Sequence, residues 1–207
     1  MTFPDRSGAG EKLSEVLASH KEKDVVIFAL PRGGVVLGKK VAEYLNAPLD
    51  LLIPRKIGHP DNPEYAIASV TEKGAVVKNR DEVNAVDRSW FEQEVKRQRI
   101  EAARRREKYL KDRRSVDVKN KIAIVVDDGI ATGLTLKAAI EDLRSRGPKS
   151  IIIAVPVAPR DTVQELERLV DKVIVLELPG LFLGSIGAYY GRFDQVSDEE
   201  VIKIMKS

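Results

Sequence analysis

The chain has 207 residues and no cysteine, so it can form neither disulfide bonds nor thiolate metal sites. Hydrophobic residues make up 43% and charged residues 32%, which indicates one folded α/β domain with a real core, and the net charge of +3 points to no particular partner. Its two histidines are too few for a histidine-rich metal centre. No apolar run approaches the ~20 residues of a membrane span, so we expect a cytoplasmic protein without membrane contact.

Apolar runs alternate with helix-length segments, which predicts a mostly parallel, twisted sheet with helices on both faces. The predicted strands are Val25–Leu30, Leu49–Ile53, Lys121–Val126, Ile151–Val157 and Lys172–Leu178. The predicted covering helices are Val35–Asn46, Leu134–Arg146 and Asp161–Leu169.

The middle of the chain departs from this alternation. Arg55–Pro63 carries a glycine and two prolines and is predicted to be a loop. Tyr65–Val70 and Ala75–Val77 are predicted to pair as a hairpin. Asp81–Lys111 has no glycine or proline and contains opposite charges four residues apart, so we predict a long exposed helix.

The tail after Pro179 is rich in glycine and aromatic residues and then ends in a predicted short helix. Ser197 and Glu200 have the spacing of a capping box, which indicates where that helix begins.

The most informative stretch is Ile122–Thr135, where an apolar strand ends in Asp127 and Asp128. A loop containing glycine and threonine follows, and a helix is predicted directly behind it. Ligands bind at the carboxyl ends of parallel strands, and a helix N-terminus offers free amides and partial positive charge to a phosphate. We therefore predict a sugar-phosphate site, with the two carboxylates beside the sugar or a hydrated Mg2+.

This stretch closely resembles the phosphoribosyl-pyrophosphate motif of type I phosphoribosyltransferases, which is an apolar strand, two acidic residues and a loop of the form x-x-x-T-G-x-T. The resemblance implies the type I phosphoribosyltransferase fold, Mg2+ as cofactor, 5-phosphoribosyl-1-pyrophosphate as donor, a small nitrogenous acceptor and a homodimer. It implies that Asp127 and Asp128 are catalytic and hold the ribose. The implied 5-phosphate loop is Ala131, Thr132, Gly133, Leu134 and Thr135.

A second match lies in Leu30–Gly34, where the family keeps its pyrophosphate loop. Gly33 and Gly34 let backbone amides turn toward an anion, and Arg32 offers a fork of donors. Alone, such a sequence is more often a tight turn. Its place before the first predicted covering helix favours pyrophosphate binding.

Over nearly the whole chain the sequence resembles a subgroup of predicted phosphoribosyltransferases, a resemblance that leaves the acceptor open. It favours a single domain over residues 1–207. Its core would span about 20–78 and 119–178, with a helical insertion or lid at 79–118. A hood would follow at 179–207, with 1–19 as a candidate addition.

Ala131 occupies the position where 6-oxopurine enzymes of the family carry an aspartate base. A hypoxanthine or guanine acceptor is therefore disfavoured. Alanine there resembles the adenine enzymes, which is compatible with an adenine-like acceptor.

Several basic residues are further candidates for the donor site. Lys96–Arg114 holds ten basic and three acidic residues, and it reads either as a solvated helix or as a lid whose arginines, Arg104 and Arg105 among them, partly neutralise pyrophosphate. Lys56, just past the second strand, is predicted to neutralise phosphate, with a surface salt bridge as the alternative.

Tyr189 and Tyr190 lie in the predicted hood. They are candidates for stacking on an aromatic acceptor, with plain packing within the hood as the alternative.

Two rival functions remain. A regulator on the same fold would sense the donor without consuming it and could use Lys96–Arg114 on nucleic acid, but Tyr109 is the one aromatic residue there, so we expect no nucleic-acid partner. A P-loop hydrolase is suggested by Gly33–Lys40, yet Lys40 replaces the hydroxyl that must bind Mg2+.

Overall fold

A five-stranded sheet, parallel throughout, organises the fold, and its strands lie in the order Leu49–Leu51, Val25–Ala29, Ile122–Val126, Ser150–Val157 and Lys172–Glu177. The computed structural model describes residues 2–74, 76–111 and 113–207. Each predicted strand of this sheet is present within one or two residues of its predicted bounds. The strands are β1 (Val25–Ala29), β2 (Leu49–Leu51), β6 (Ile122–Val126), β7 (Ser150–Val157) and β8 (Lys172–Glu177).

Helices cover both faces of this sheet, as predicted. Successive residues of a strand point to opposite faces, so Val26 packs in one hydrophobic cluster and Ile27 in the other. The face bearing Ile27 is covered by α1 (Arg6–Val16), α2 (Gly34–Leu45) and α7 (Asp198–Lys206), and the opposite face by α5 (Leu134–Ser145) and α6 (Arg160–Glu167).

A separate antiparallel sheet replaces the loop predicted at Arg55–Pro63. It contains β3 (Arg55–His59), β4 (Asn62–Val70) and β5 (Val76–Lys78). The loop prediction was wrong because Gly58 does not break the strand. It lies at a register shift, where a β-carbon would come 2.1 Å from the Pro63 carbonyl oxygen. The β4–β5 hairpin is confirmed, and Ala75 of its predicted second strand lies outside the described residues.

The long predicted helix is divided into α3 (Arg80–Asn84) and α4 (Arg88–Leu110). Asp87 starts α4 by accepting a 2.7 Å hydrogen bond from the Trp90 amide. An aspartate cap therefore makes the break without glycine or proline.

The two ends of the chain pack together. The amides of Thr2 and Phe3 donate to the Tyr189 carbonyl, and the Gly191 amide donates back to Phe3. The predicted capping box at the start of α7 is present between Ser197 and Glu200. Within the described ranges, no helix has both the length and the apolar character that crossing a membrane requires.

Candidate functional site

The two acidic residues of the motif follow β6 directly, at the carboxyl edge of the parallel sheet. β1 is the neighbour of β6, with Ala29 beside Val126, so the turn after β1 reaches the same edge. The Asp128 amide donates to Asp127 Oδ1 at 2.8 Å, which fixes the first carboxylate. The structure thus brings the acid pair and the Arg32–Gly34 turn together, as the motifs predicted.

Two glycines make this close approach sterically feasible. A β-carbon at Gly33 would lie 1.8 Å from Asp128 Oδ2, and one at Gly34 would lie 2.9 Å from the Asp127 Cα. A side chain at position 33 or 34 would collide with the acid pair.

The predicted 5-phosphate loop, residues 131–135, follows the acid pair along the chain and runs into the start of α5. Gly133, with φ of 70°, precedes α5, and no side chain caps the helix amides there. The Thr162 hydroxyl donates to the Ala131 carbonyl at 3.0 Å and holds the loop. A cleft of about 190 Å³ is lined by residues 127–133, Thr135, Leu136 and Ile186.

Burial and mutual repulsion control the charge of the acid pair. Burial, reinforced by the negative charge of Asp128, raises the pKa of Asp127 well above its ordinary value. Burial also raises the pKa of Asp128, while Arg6 opposes that rise. Because the two carboxylates repel each other, they do not both ionise readily. When the pair carries one proton, we expect that proton to reside mainly on Asp127.

Arg6 is a site residue that the sequence did not reveal. Its Nε donates to Asp128 Oδ2 at 2.8 Å, and its Nη1 donates to the Asp194 carbonyl at 2.6 Å. The guanidinium also lies 3.8 Å from the ring centroid of Phe193. No motif signals this contact, because Arg6 precedes Asp128 by 122 residues.

Arg32 lies near the carboxylate of Asp198, on α7. Its Nη1 is 3.6 Å from Asp198 Oδ1, and Asp198 also accepts 2.6 Å hydrogen bonds from Lys108 Nζ and the Tyr109 hydroxyl. These two donors lower the pKa of Asp198 to about 2. Burial and the bond to Asp198 raise the pKa of Tyr109 to about 12.

Of the two adjacent basic residues in β3, Arg55 faces the protein interior and Lys56 faces solvent. Successive strand residues alternate faces, and Lys56 points outward to an ion pair with Glu64 at 2.8 Å, the alternative left open by the sequence. Arg55 Nε donates to Gln98, and burial followed by the charge of Arg105 lowers the Arg55 pKa.

The lid candidates differ in their surroundings. Arg104 is 60% exposed and pairs with Glu101 on its own helix, whereas Arg105 is half-buried and pairs with the same glutamate. Arg106 is bound to Asp50 at 3.0 Å and to the Leu51 carbonyl at 2.8 Å, which ties α4 to β2.

Both hood tyrosines are buried, which agrees with the packing alternative, and their stacking on an acceptor stays a prediction. The Tyr190 ring packs between Phe3 and Phe193, and its hydroxyl donates to the Asp128 carbonyl at 2.6 Å. Tyr189 packs against Phe182.

Size alone does not locate the site. A larger hollow of about 790 Å³ lies along α4, but it contains none of the acid pair, the glycine turn or the phosphate loop. The P-loop alternative is not supported either, because Gly34–Leu45 is helix α2 and Lys39 pairs with Glu43.

A parallel sheet with an acid pair and a loop–helix junction at its carboxyl edge is the architecture of α/β domains that bind phosphate-bearing ligands at that edge. The chain belongs to the phosphoribosyl transferase domain family, whose model matches residues 7–181. The predicted family and type I phosphoribosyltransferase fold are thereby confirmed.

Relatives agree with this assignment. The predicted phosphoribosyl transferase Rv0571c of Mycobacterium tuberculosis is 40% identical over 205 residues, which are 98% of this chain but 46% of that protein. The chain therefore spans about half the length of this relative. TT1426 from Thermus thermophilus is 38% identical over 99% of this chain and 98% of its own, with a TM-score of 0.84. AQ2163 from Aquifex aeolicus, 12% identical over 84% of this chain and 74% of its own, has a TM-score of 0.53 and shows the fold alone.

Proposed function

We propose that this domain binds 5-phosphoribosyl-1-pyrophosphate together with Mg2+ and transfers the phosphoribosyl group to a small nitrogenous base. The observation that carries this proposal is the contact of the Gly33–Gly34 turn with Asp127 and Asp128, beside the cleft formed by the phosphate loop. In the transfer, the bond from ribose C1 to the pyrophosphate oxygen breaks as a nitrogen of the acceptor bonds to C1. Pyrophosphate leaves with the electron pair of the broken bond, and the proton that the acceptor nitrogen loses passes to the departing pyrophosphate or to water.

Each part of the donor has a matching group on the protein. The ribose hydroxyls donate to the oxygens of Asp127 and Asp128, and the amides and hydroxyls of residues 131–135 bind the 5-phosphate. The Arg32–Gly34 turn binds the pyrophosphate, and Arg55 is a second cation for the leaving group, in place of Lys56. The protein thereby positions the donor and stabilises developing charge.

Mg2+ fits this donor set as an ion that arrives with the substrate. Among the described residues, no group of three or more acidic, histidine or cysteine side chains could enclose a metal. Mg2+ commonly keeps several waters and binds one or two carboxylates together with substrate phosphates, and the Asp127–Asp128 pair matches that pattern. When bound, the ion neutralises charge on the leaving pyrophosphate.

The acceptor side of the proposal starts from Ala131. Because this position carries no carboxylate, an adenine-like base fits better than a 6-oxopurine. Tyr189 and Tyr190 are buried, so we assign acceptor binding to neither of them. The identity of the acceptor is therefore tested by comparing purine bases with pyrimidine bases.

Donor binding is tested by thermal and chemical unfolding with phosphoribosyl pyrophosphate and Mg2+. At a hundred times its dissociation constant, the donor should stabilise the wild type by about 2.7 kcal/mol. Asp128→Asn should show clearly less stabilisation, whereas Glu64→Gln, at an exposed ion pair, should match the wild type. Absence of donor-dependent stabilisation in the wild type would contradict the proposal.

Pyrophosphate release with a panel of bases then tests turnover. Donor binding without release for any base would favour the donor-sensing regulator. A nucleic-acid role for that regulator has little support from α4, because Arg97 and Arg104 are already paired with Glu94 and Glu101.

A further inference from the structure

Arg6 reaches the acid pair because the two ends of the chain are tied together. Thr2 and Phe3 are hydrogen-bonded to Tyr189, the Arg192 amide donates to the Pro4 carbonyl, and Asp5 pairs with Arg192 at 2.7 Å. Asp5 also caps α1 through the Gly8 amide, which places Arg6 at the first position of that helix. The family match begins at residue 7, so this contact lies at its boundary.

The Arg6 guanidinium is held in one orientation. It donates to both Asp128 and the Asp194 carbonyl, it stacks on Phe193, and its side chain is 12% exposed. A surface ion pair would have none of these restraints. The Arg6–Asp128 contact is therefore a fixed element of the site and not a mobile surface ion pair.

The charges around Asp128 make Arg6 its counter-ion. Asp127 adjoins it in the chain, and the Tyr190 hydroxyl donates to its backbone carbonyl. Among the described residues, Arg6 is the one cation that forms an ion pair with either member of the acid pair.

We propose that Arg6 is a positioning residue of the donor site, which keeps the Asp128 carboxylate ionised and oriented to accept hydrogen bonds from the ribose hydroxyls. This inference rests on the proposed function. A phosphoribosyl donor is a polyanion, and an uncompensated carboxylate pair would repel it. Arg6 cancels one negative charge and leaves the acceptor oxygens in place, and ionised oxygens accept stronger hydrogen bonds than neutral ones.

The test is calorimetric titration with phosphoribosyl pyrophosphate and Mg2+. Arg6→Gln should weaken donor affinity on the order of tenfold to a hundredfold, because it leaves a buried carboxylate without its partner. Arg6→Lys keeps the charge and should recover part of that loss. Arg88→Gln removes an arginine from an exposed pair with Glu92 on α4, and it should remain within about twofold of the wild type, as expected away from the site.

A double-mutant cycle with Asp128→Asn separates positioning from a structural role. If Arg6 acts through Asp128, Arg6→Gln should weaken binding by less than about threefold in the Asp128→Asn background. An equal loss in both backgrounds would overturn the inference and assign the effect to Asp194 and Phe193. Unchanged affinity in Arg6→Gln would overturn it as well.

The thermal midpoint of each variant checks folding, and Arg6→Met, which also removes the charge, takes the place of Arg6→Gln in the cycle if the latter does not fold. A wild type that fails to bind the donor refutes the proposed function and this inference together. A wild type that binds, with Arg6 variants that bind equally well, refutes this inference alone.

Discussion

Gly33 and Asp128 are in contact across the site, although 95 positions separate them along the chain. A β-carbon at position 33 would stand 1.8 Å from Asp128 Oδ2 and 2.8 Å from Arg6 Nε. The Gly33 turn, which we propose to bind pyrophosphate, therefore lies directly against the Asp128 carboxylate, which we propose to bind ribose. Neither can move without disturbing the other.

Gly33→Ala should impair the site for this reason. The methyl group must displace the carboxylate or the turn, and a misplacement of about 1 Å in a reactive site costs on the order of a hundredfold in rate. Donor affinity by calorimetry should fall with it. Gly180→Ala is the matched control, since nothing lies within 4 Å of a β-carbon there, and a similar loss in that variant would contradict the steric explanation.

Asp127→Asn should stabilise the unliganded protein at neutral pH. Asparagine keeps the oxygen that accepts from the Asp128 amide but carries no buried charge. The folded-state pKa of Asp127 is raised, so the folded state binds its proton more tightly than the unfolded state, and wild-type stability falls as pH rises from about 4 through that raised pKa. Asp127→Asn lacks this loss and should therefore be the more stable of the two proteins at pH 7.

Urea unfolding of both proteins from pH 4 to pH 8 measures this difference. The advantage of Asp127→Asn should grow with pH. A difference that stays constant over the range would show that burial does not raise the pKa of Asp127.

Arg106→Ala should strongly destabilise the fold. Asp50 is 2% exposed, and loss of Arg106 leaves it as a buried charge without its partner, which costs about 3–5 kcal/mol. Arg104→Ala is the control on the same helix, because its pair with Glu101 is exposed and should contribute little to stability. Equal urea midpoints for the two variants would refute the anchoring role of Arg106.

Asp198→Asn should loosen α7 from α4 by about 1 kcal/mol, the usual net value of a lost hydrogen bond to a partly exposed group. The pKa of Asp198 falls from an ordinary 3.8 to about 2 on folding. A depressed carboxylate pKa adds stability that is fully present above pH 4 and is lost as pH falls toward 2. The wild type and Asp198→Asn should therefore differ in urea at pH 7 and converge near pH 2.

Glu64→Gln is the control for that series, since Glu64 is 90% exposed in its pair with Lys56. It should leave the free energy of unfolding close to that of the wild type at every pH. A difference between wild type and Asp198→Asn that persists unchanged at pH 2 would show that the contribution is not ionic.

Local patterns explain which features could be predicted. Buried strands such as Val25–Ala29 are continuous apolar runs, and Asp127 to Thr135 are neighbours in sequence, so both could be identified without coordinates. The β3 strand and the break before α4 were missed because a glycine and an aspartate have different effects in different contexts. Gly58 permits a close backbone approach, and Asp87 starts a helix.

The sequence by itself determined the parallel core, the acid pair and the loop behind it, because each depends on residues adjacent along the chain. Only the tertiary structure decided that Arg6 pairs with Asp128, that Asp198 faces Arg32, and that Arg55 turns inward while Lys56 turns out. These contacts join segments far apart in sequence. They depend on which strands are neighbours and on how the two chain ends pack, and no local pattern encodes that information.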